Sequence, residues 1–247
     1  VLESSHNQYS TMEDLLEVQS AYVEQTGLAG YMSTQAGAQI AESIDKVSAA
    51  YSVGASTTVG AVQTLMQLGS TMEDAVKLTA GMYKAAEKSG FDPELIGKDL
   101  VDNAELVATY YGGMKDKAIA ATIATRAMGV TLKQVGGIAD RMLNIDGFMT
   151  DMYELNAMGG PDLSQAFELG LSGDLTGMMK EVMRTTGGLE QFNEMSYLTK
   201  KKMASTLGMS VDELTKSLSL EKQMTNLDPI HQQMLRDNYD VLGDINS

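Results

Sequence analysis

The chain has 247 residues, 43% of them apolar, a formal net charge of -15, no Cys and no Trp. That is enough apolar material for one large domain or two smaller ones, and it excludes disorder over most of the length. The acidic balance argues against nucleic-acid or anionic-membrane binding, the lack of Cys excludes disulfides and thiolate metal sites, and no apolar run approaches the ~20 residues that cross a bilayer.

The residue mix points to helices. The 19 Met and the many Ala are good helix formers, and 3 Pro leave long stretches uninterrupted, whereas 24 Gly imply frequent stops. The polar opening Val1–Ser10, without a Met start, leads us to expect a piece of a longer polypeptide. The first helix is expected at Ser10-Thr-Met-Glu13, a capping box in which Ser10 accepts a free N–H and Glu13 reaches back. Ala36, Ile40, Ile44, Val47 and Tyr51 recur at helical spacing and predict a second stripe, lined with small residues. Ser70-Thr-Met-Glu73 repeats the capping box and opens a helix with Met72, Ala75, Val76, Thr79, Tyr83 and Ala86 on one face. At Asp92-Pro93 a capping carboxylate precedes a proline at the first helical position.

Tyr110-Tyr-Gly-Gly-Met114 is the strongest local breaker, and near Met128 an Ala/Gly/Ser-rich composition gives way to a Met-rich one. A boundary is expected between about 110 and 128 and is drawn after residue 112. Beyond it, Thr131 with Gln134 and Ser210 with Glu213 repeat the capping device. Leu132, Val135, Ala139 and Met142 form one helical stripe, and Leu175, Met178, Met179 and Val182 another. Asp228-Pro229 opens a last helix, and Gly69, Gly90, Gly129, Gly173 and Gly208 mark left-handed helix exits. Period-two alternation is not sustained anywhere. The expected fold is all-α: about a dozen short helices of roughly 10 to 20 residues in a compact or extended array, with no sheet. Three regions follow: 1–112, Ala/Gly-rich; 113–225, a helical module; 226–247, a terminal helix or linker.

The search for chemistry returns no catalytic, cofactor-binding or metal-binding residue. His6 and His231 lack partners at metal-ligand spacing, and no Gly-Lys-Ser/Thr follows a Gly-rich turn. Asp151 with Glu154, and Asp212 with Glu213, are the pairs a glycan-cleaving helical enzyme would need. Helix-face and dipole effects account for both, so the structural reading is preferred. Asp146-Gly147 and Gly173-Asp174-Leu175 read as turn and cap, without the alternating oxygens of a calcium loop. Lys200-Lys201-Lys202 is the only basic run, read as a solvated face or as a contact with an acidic neighbour such as the chain's own N-terminal part. The corners Met128-Gly-Val-Thr-Leu132 and Leu207-Gly-Met-Ser-Val211 resemble helix–turn–helix corners, but the following helices are too poor in basic residues for DNA.

An ordered set of segments from about Gly113 to Lys222 resembles the tail tape measure proteins of tailed bacteriophages. It runs through Lys115–Thr131, ending Ala127-Met-Gly-Val-Thr; Asn144-Ile-Asp-Gly-Phe148 with Met149–Leu155; and Met158-Gly-Gly-Pro-Asp-Leu163. It continues through Gln165-Ala-Phe-Glu-Leu-Gly-Leu-Ser-Gly-Asp174, Gln191-Phe-Asn-Glu-Met195, Lys200–Ala204 and Thr206-Leu-Gly-Met-Ser-Val-Asp-Glu-Leu214. The chain departs at Ala166-Phe167, where Ala-Arg is expected. The resemblance implies a structural protein of the virion, made in the host cytoplasm, that lies in the tail tube, sets tail length and leaves during genome ejection. Implied partners are its own copies, the tail tube protein and the hub or baseplate tip proteins, with contact to the host envelope on ejection. No sequence-specific nucleic acid and no cofactor is implied. The frequent Gly stops favour a compact module near the tip over the ruler rod, which would show long uninterrupted periodicity. The alternatives are a peptidoglycan-cleaving helical domain of a tail protein, or a helical scaffold or effector of a bacterial injection system.

Overall fold

A computed structural model describes residues 11–27, 30 and 34–225; His6, His231, Asp228-Pro229 and the expected terminal helix at 226–247 lie outside them. Fourteen helices and no strand occur among the described residues. The chain divides into two compact units, Val1–Ile119 and Ala120–Ser247, with the division inside the helix Lys115–Ala127.

The first unit holds α1 (Met12–Thr26), α2 (Gln35–Tyr51), α3 (Ala55–Gln67), α4 (Met72–Lys88), α5 (Pro93–Asp102), α6 (Ala104–Tyr111) and the start of α7 (Lys115–Ala127). Helix α3 is the hub, packed against α1, α2, α4 and α5. It has no single apolar stripe: Thr57, Thr58, Val59, Gly60, Ala61, Val62, Thr64 and Leu65 are all buried. A helix enclosed from four sides must carry small side chains, and its hydroxyls must be satisfied locally. Thr64 Oγ1 donates to the Gly60 carbonyl at 2.9 Å, and Thr58 accepts from Ser48 Oγ at 2.9 Å. Helix α5 comes so close that a Cβ at Gly97 would lie 2.7 Å from Thr57 Cγ2 and 2.8 Å from the Tyr83 hydroxyl. Gly54, the first residue before α3, has no side chain to cap it. Glu94 of α5 supplies the cap from another helix, accepting from the Gly54 N–H at 2.8 Å and the Thr57 hydroxyl at 2.9 Å.

The buried face of α2 differs from the expected stripe. Ala36 is exposed and Ile40, Val47 and Tyr51 are only half-buried, whereas Gly37, Ala38, Ala41, Glu42, Ile44, Asp45 and Ser48 face inward. Close approach to α1, α3 and α4 selects the smaller residues, and the buried Glu42 is paired with Lys46 at 2.7 Å.

The second unit completes α7 and adds α8 (Leu132–Leu143), α9 (Ile145–Ala157), α10 (Ser164–Leu171), α11 (Leu175–Thr186), α12 (Gly188–Glu194), α13 (Tyr197–Thr206) and α14 (Val211–Thr225). Helices α8, α10 and α11 pack together through Leu132, Val135, Ile138, Met142, Leu175, Met178 and Val182, all essentially inaccessible. Methionine's flexible thioether fills irregular gaps. Here a Cβ at Gly170 would sit 2.7 Å from Met142 Sδ and 3.1 Å from Met178 Sδ, so the two sulfurs close over the glycine. Phe167, at the departure from the expected Ala-Arg, stacks on Phe148 at 5.1 Å between centroids.

One corner recurs in both units. A helix ends in a glycine at positive φ (Gly69, Gly90, Gly129, Gly159, Gly173, Gly208), and the next N–H bonds back to the carbonyl five residues earlier at 2.9–3.2 Å. This is the left-handed exit that closes orphan carbonyls. Two residues after Gly69, Gly90, Gly129 and Gly208 stand Thr71, Asp92, Thr131 and Ser210, whose side chains accept from the first turn of the next helix. Thr131–Gln134 and Ser210–Glu213 form the expected reciprocal boxes. At the box expected at Ser70 the cap sits one residue on, at Thr71, which accepts from the Asp74 N–H without the reciprocal backbone bond, while the Ser70 N–H donates to the Leu65 carbonyl. The first box moves likewise, to Thr11 with Asp14. Similarly Asn144 caps α9, so Asp146-Gly147 lies in its first turn instead of forming a separate turn.

Gly129 also lets α14 approach: a Cβ there would meet the Ser217 carbonyl oxygen at 2.6 Å, whereas Gly173 has nothing within 4 Å. Both have positive φ, 72° and 81°. Gly173→Ala should therefore cost only the backbone term, about 1–2 kcal/mol. Gly129→Ala should cost clearly more, because Ser217 is backbone and cannot swing away. Urea unfolding of the two variants compares them, and equal losses would rule out the close approach of α14.

Candidate functional site

The densest constellation of charged groups lies in the second unit. Asp151 and Glu154, three residues apart on α9, fall on one face of that helix. Helix α13 packs along it and brings in Lys202, whose Nζ lies 2.7 Å from Asp151 Oδ1 and also pairs with Glu154 Oε2. From the last turn of α8, Arg141 Nη2 reaches Asp151 Oδ2 at 3.1 Å, and its Nε donates to the Thr206 carbonyl at 3.1 Å. Thr206 is in the last turn of α13, where carbonyls lack helical partners. A further bond, Thr199 Oγ1 to the Met158 carbonyl at 3.3 Å, ties the other end of the seam. Four charged groups on three helices thus form one clamp.

Geometry sets the ionisation. Partial burial alone would raise the Asp151 carboxyl, but hydrogen bonds from Lys202 and Arg141 bring it below its ordinary value. Burial pulls Lys202 down, and bonds to Asp151 and Glu154 carry it above its ordinary value. Asp151 is therefore an ionised acceptor and Lys202 a protonated donor over a wide pH range.

The structure sorts the residues singled out in the sequence. Asp151, Glu154 and Lys202 are brought together, so α9 supplies acidic neighbours to the lysine run. Lys200 turns to the Asn193 carbonyl at 2.7 Å and lies 5.7 Å from the Phe192 ring centroid. Lys201 is exposed. Asp212 and Glu213 open α14, with Glu213 in the capping box, where the Ser210 N–H and hydroxyl lower its carboxyl. Asp174 caps α11 through the Gly177 N–H at 2.8 Å. Arg141 is missed by sequence reasoning, since its partners lie 10 and 65 residues away. Its only signal is a cation in the last turn of an otherwise apolar-faced helix.

The first unit contains a cleft of about 390 Å³ lined by Asp14, Glu17, Asp45, Ser48, Ser52 and Gly54 among others. Its carboxylates do not converge: among the described residues no group of three or more His, Asp or Glu could hold a metal ion. Ser52 is the only described non-glycine at positive φ, 53°, and it ends α2 in the same back-bonded corner as the glycines.

Comparison with known proteins finds no matching family model, no matching curated protein and no matching solved structure.

Two outcomes follow from this geometry. Lys202→Met should lower stability by about 1–2 kcal/mol at neutral pH, the size expected for losing charge-assisted bonds at a partly buried carboxylate. The depressed Asp151 stabilises above its unfolded value and that contribution is lost as pH falls through its folded value. The raised Lys202 stabilises below its unfolded value and is lost as pH rises through its folded value. The wild-type advantage over Lys202→Met should hence be full between about pH 5 and pH 10 and shrink on both sides; a difference independent of pH would refute the clamp. Separately, Ser52→Gly should stabilise by about 1 kcal/mol by relieving the left-handed serine. A loss in thermal melting would mean that the Ser52 side chain has a role the corner does not require.

Proposed function

We propose that the chain is a compact structural module of a bacteriophage tail tape measure protein, placed near the tail tip rather than in the measuring rod. What supports this reading is the ordered resemblance from Lys115–Thr131 to Thr206–Leu214, a resemblance of sequence and not a matching relative. The short, glycine-stopped helices, none longer than 17 residues among those described, suit a folded plug or anchor better than a rod. In this role the module lies in the tail lumen against its own copies, the tube wall and the tip proteins, and departs ahead of the genome. A net charge of -15 keeps such a module from adhering to the DNA behind it.

The peptidoglycan-cleaving alternative needs one carboxyl kept protonated near neutral pH and another free to act. Asp151 is held ionised, and both it and Glu154 are paired with Lys202, which favours the structural reading.

In-frame deletion of residues 113–225 in the phage that encodes the chain should block tail completion or ejection while leaving the length of any finished tails unchanged, as seen by negative-stain microscopy and plaque counts. Full-length, fully infectious tails would defeat the reading. Tails shortened in proportion to the deletion would move the segment into the ruler.

A further inference from the structure

Helix α13 presents a face with no partner among the described residues. Tyr197 and Leu198 are 70% and 67% exposed, and Lys201, one turn after Tyr197, is exposed and has no ion pair among the described residues. Among the described helices α13 is also the only one whose charged residues are all basic: Lys200, Lys201 and Lys202. In a chain of net charge -15, such a face attracts acidic surface.

Helix α1 offers the complement. Met12 and Leu16, one turn apart, are 43% and 50% exposed. Glu13 and Glu17 repeat the same spacing on the adjacent row and are exposed as well. All charged residues of α1 are acidic, and no Lys or Arg precedes Lys46. Helix α9 also carries only acids and exposes Tyr153, but its Asp151 and Glu154 are already engaged by Lys202 of the same chain.

We propose that the α13 face binds a second copy of this chain through that copy's α1. Tyr197 and Leu198 lie against Met12 and Leu16, and Lys201 lies against Glu13 and Glu17. Because the two faces differ, two copies can exchange both contacts in a two-fold pair or pass them on head to tail. The contact deepens the functional reading above, on which it rests for its setting, since copies sharing one tube lie against one another.

Sedimentation velocity of the purified chain, run up to about 1 mM to reach weak contacts, should show a mean mass that rises with concentration above that of the monomer. Lys201→Glu, and separately Glu13→Lys with Glu17→Lys, should each weaken association about tenfold. Combining all three changes should restore it, with circular dichroism confirming unchanged helix content in every variant. A monomer at all concentrations, single variants that associate like the wild type, or a charge swap without rescue would each overturn the proposal. The tail deletion above reads function in the virion independently, so either result can fail while the other stands.

Discussion

Every helix end buried in a fold of this kind must satisfy carbonyls and amides that have lost their helical partners. The chain meets that constraint with one three-residue device: a left-handed glycine, a back-bonded N–H, and a hydroxyl or carboxylate that caps the next helix. Gly69/Thr71, Gly90/Asp92, Gly129/Thr131 and Gly208/Ser210 are four copies of it. The device uses no loop, so one helix follows another within a few residues. Short helices cannot bury much surface each, and so must pack tightly with neighbours.

The two units solve that packing differently. In the first, small residues let helices come within backbone distance, and polar groups are handled by neighbours, as when Glu94 caps α3 across forty residues. There the carboxyl is held below its ordinary value because the bonds from Lys98, Gly54 and Thr57 outweigh its partial burial. In the second, larger Met, Leu, Ile and Phe side chains fill the α8–α11 layer, and the α9–α13 seam is left to charge and hydroxyl contacts. The clamp stands where apolar packing thins out. The inward-facing residues of α13 include only Met203 as a large apolar group.

Helix content, caps and glycine exits were legible in the sequence because each depends on residues within five positions of one another. Thr131 with Gln134 and Ser210 with Glu213 are where they were expected. The shift from Ser70 to Thr71 could not be read locally, since it depends on where α3 ends and whose amide closes it. The α2 stripe failed for a related reason: hydrophobicity favoured Ile40 and Val47, but neighbour distance favoured Ala38, Ala41 and Ser48. Arg141, Glu94 and the Asp151–Lys202 bond were invisible because their partners lie 10 to 65 residues away, at positions no spacing rule relates. Function was legible only through the resemblance.

The enclosure of α3 bears on how the first unit comes into being. Alone, α3 offers water a run of Thr, Gly, Ala and Val with no strong helix-forming stripe, and two β-branched threonines in its first turn. Its order must therefore come from α1, α2, α4 and α5, and α5 is made last. During synthesis the enclosure of the hub is incomplete until Asp102 has emerged, after which all five helices can settle together. Run in reverse, loss of α5 uncovers the Thr-rich centre of the first unit and weakens the remaining helices around it.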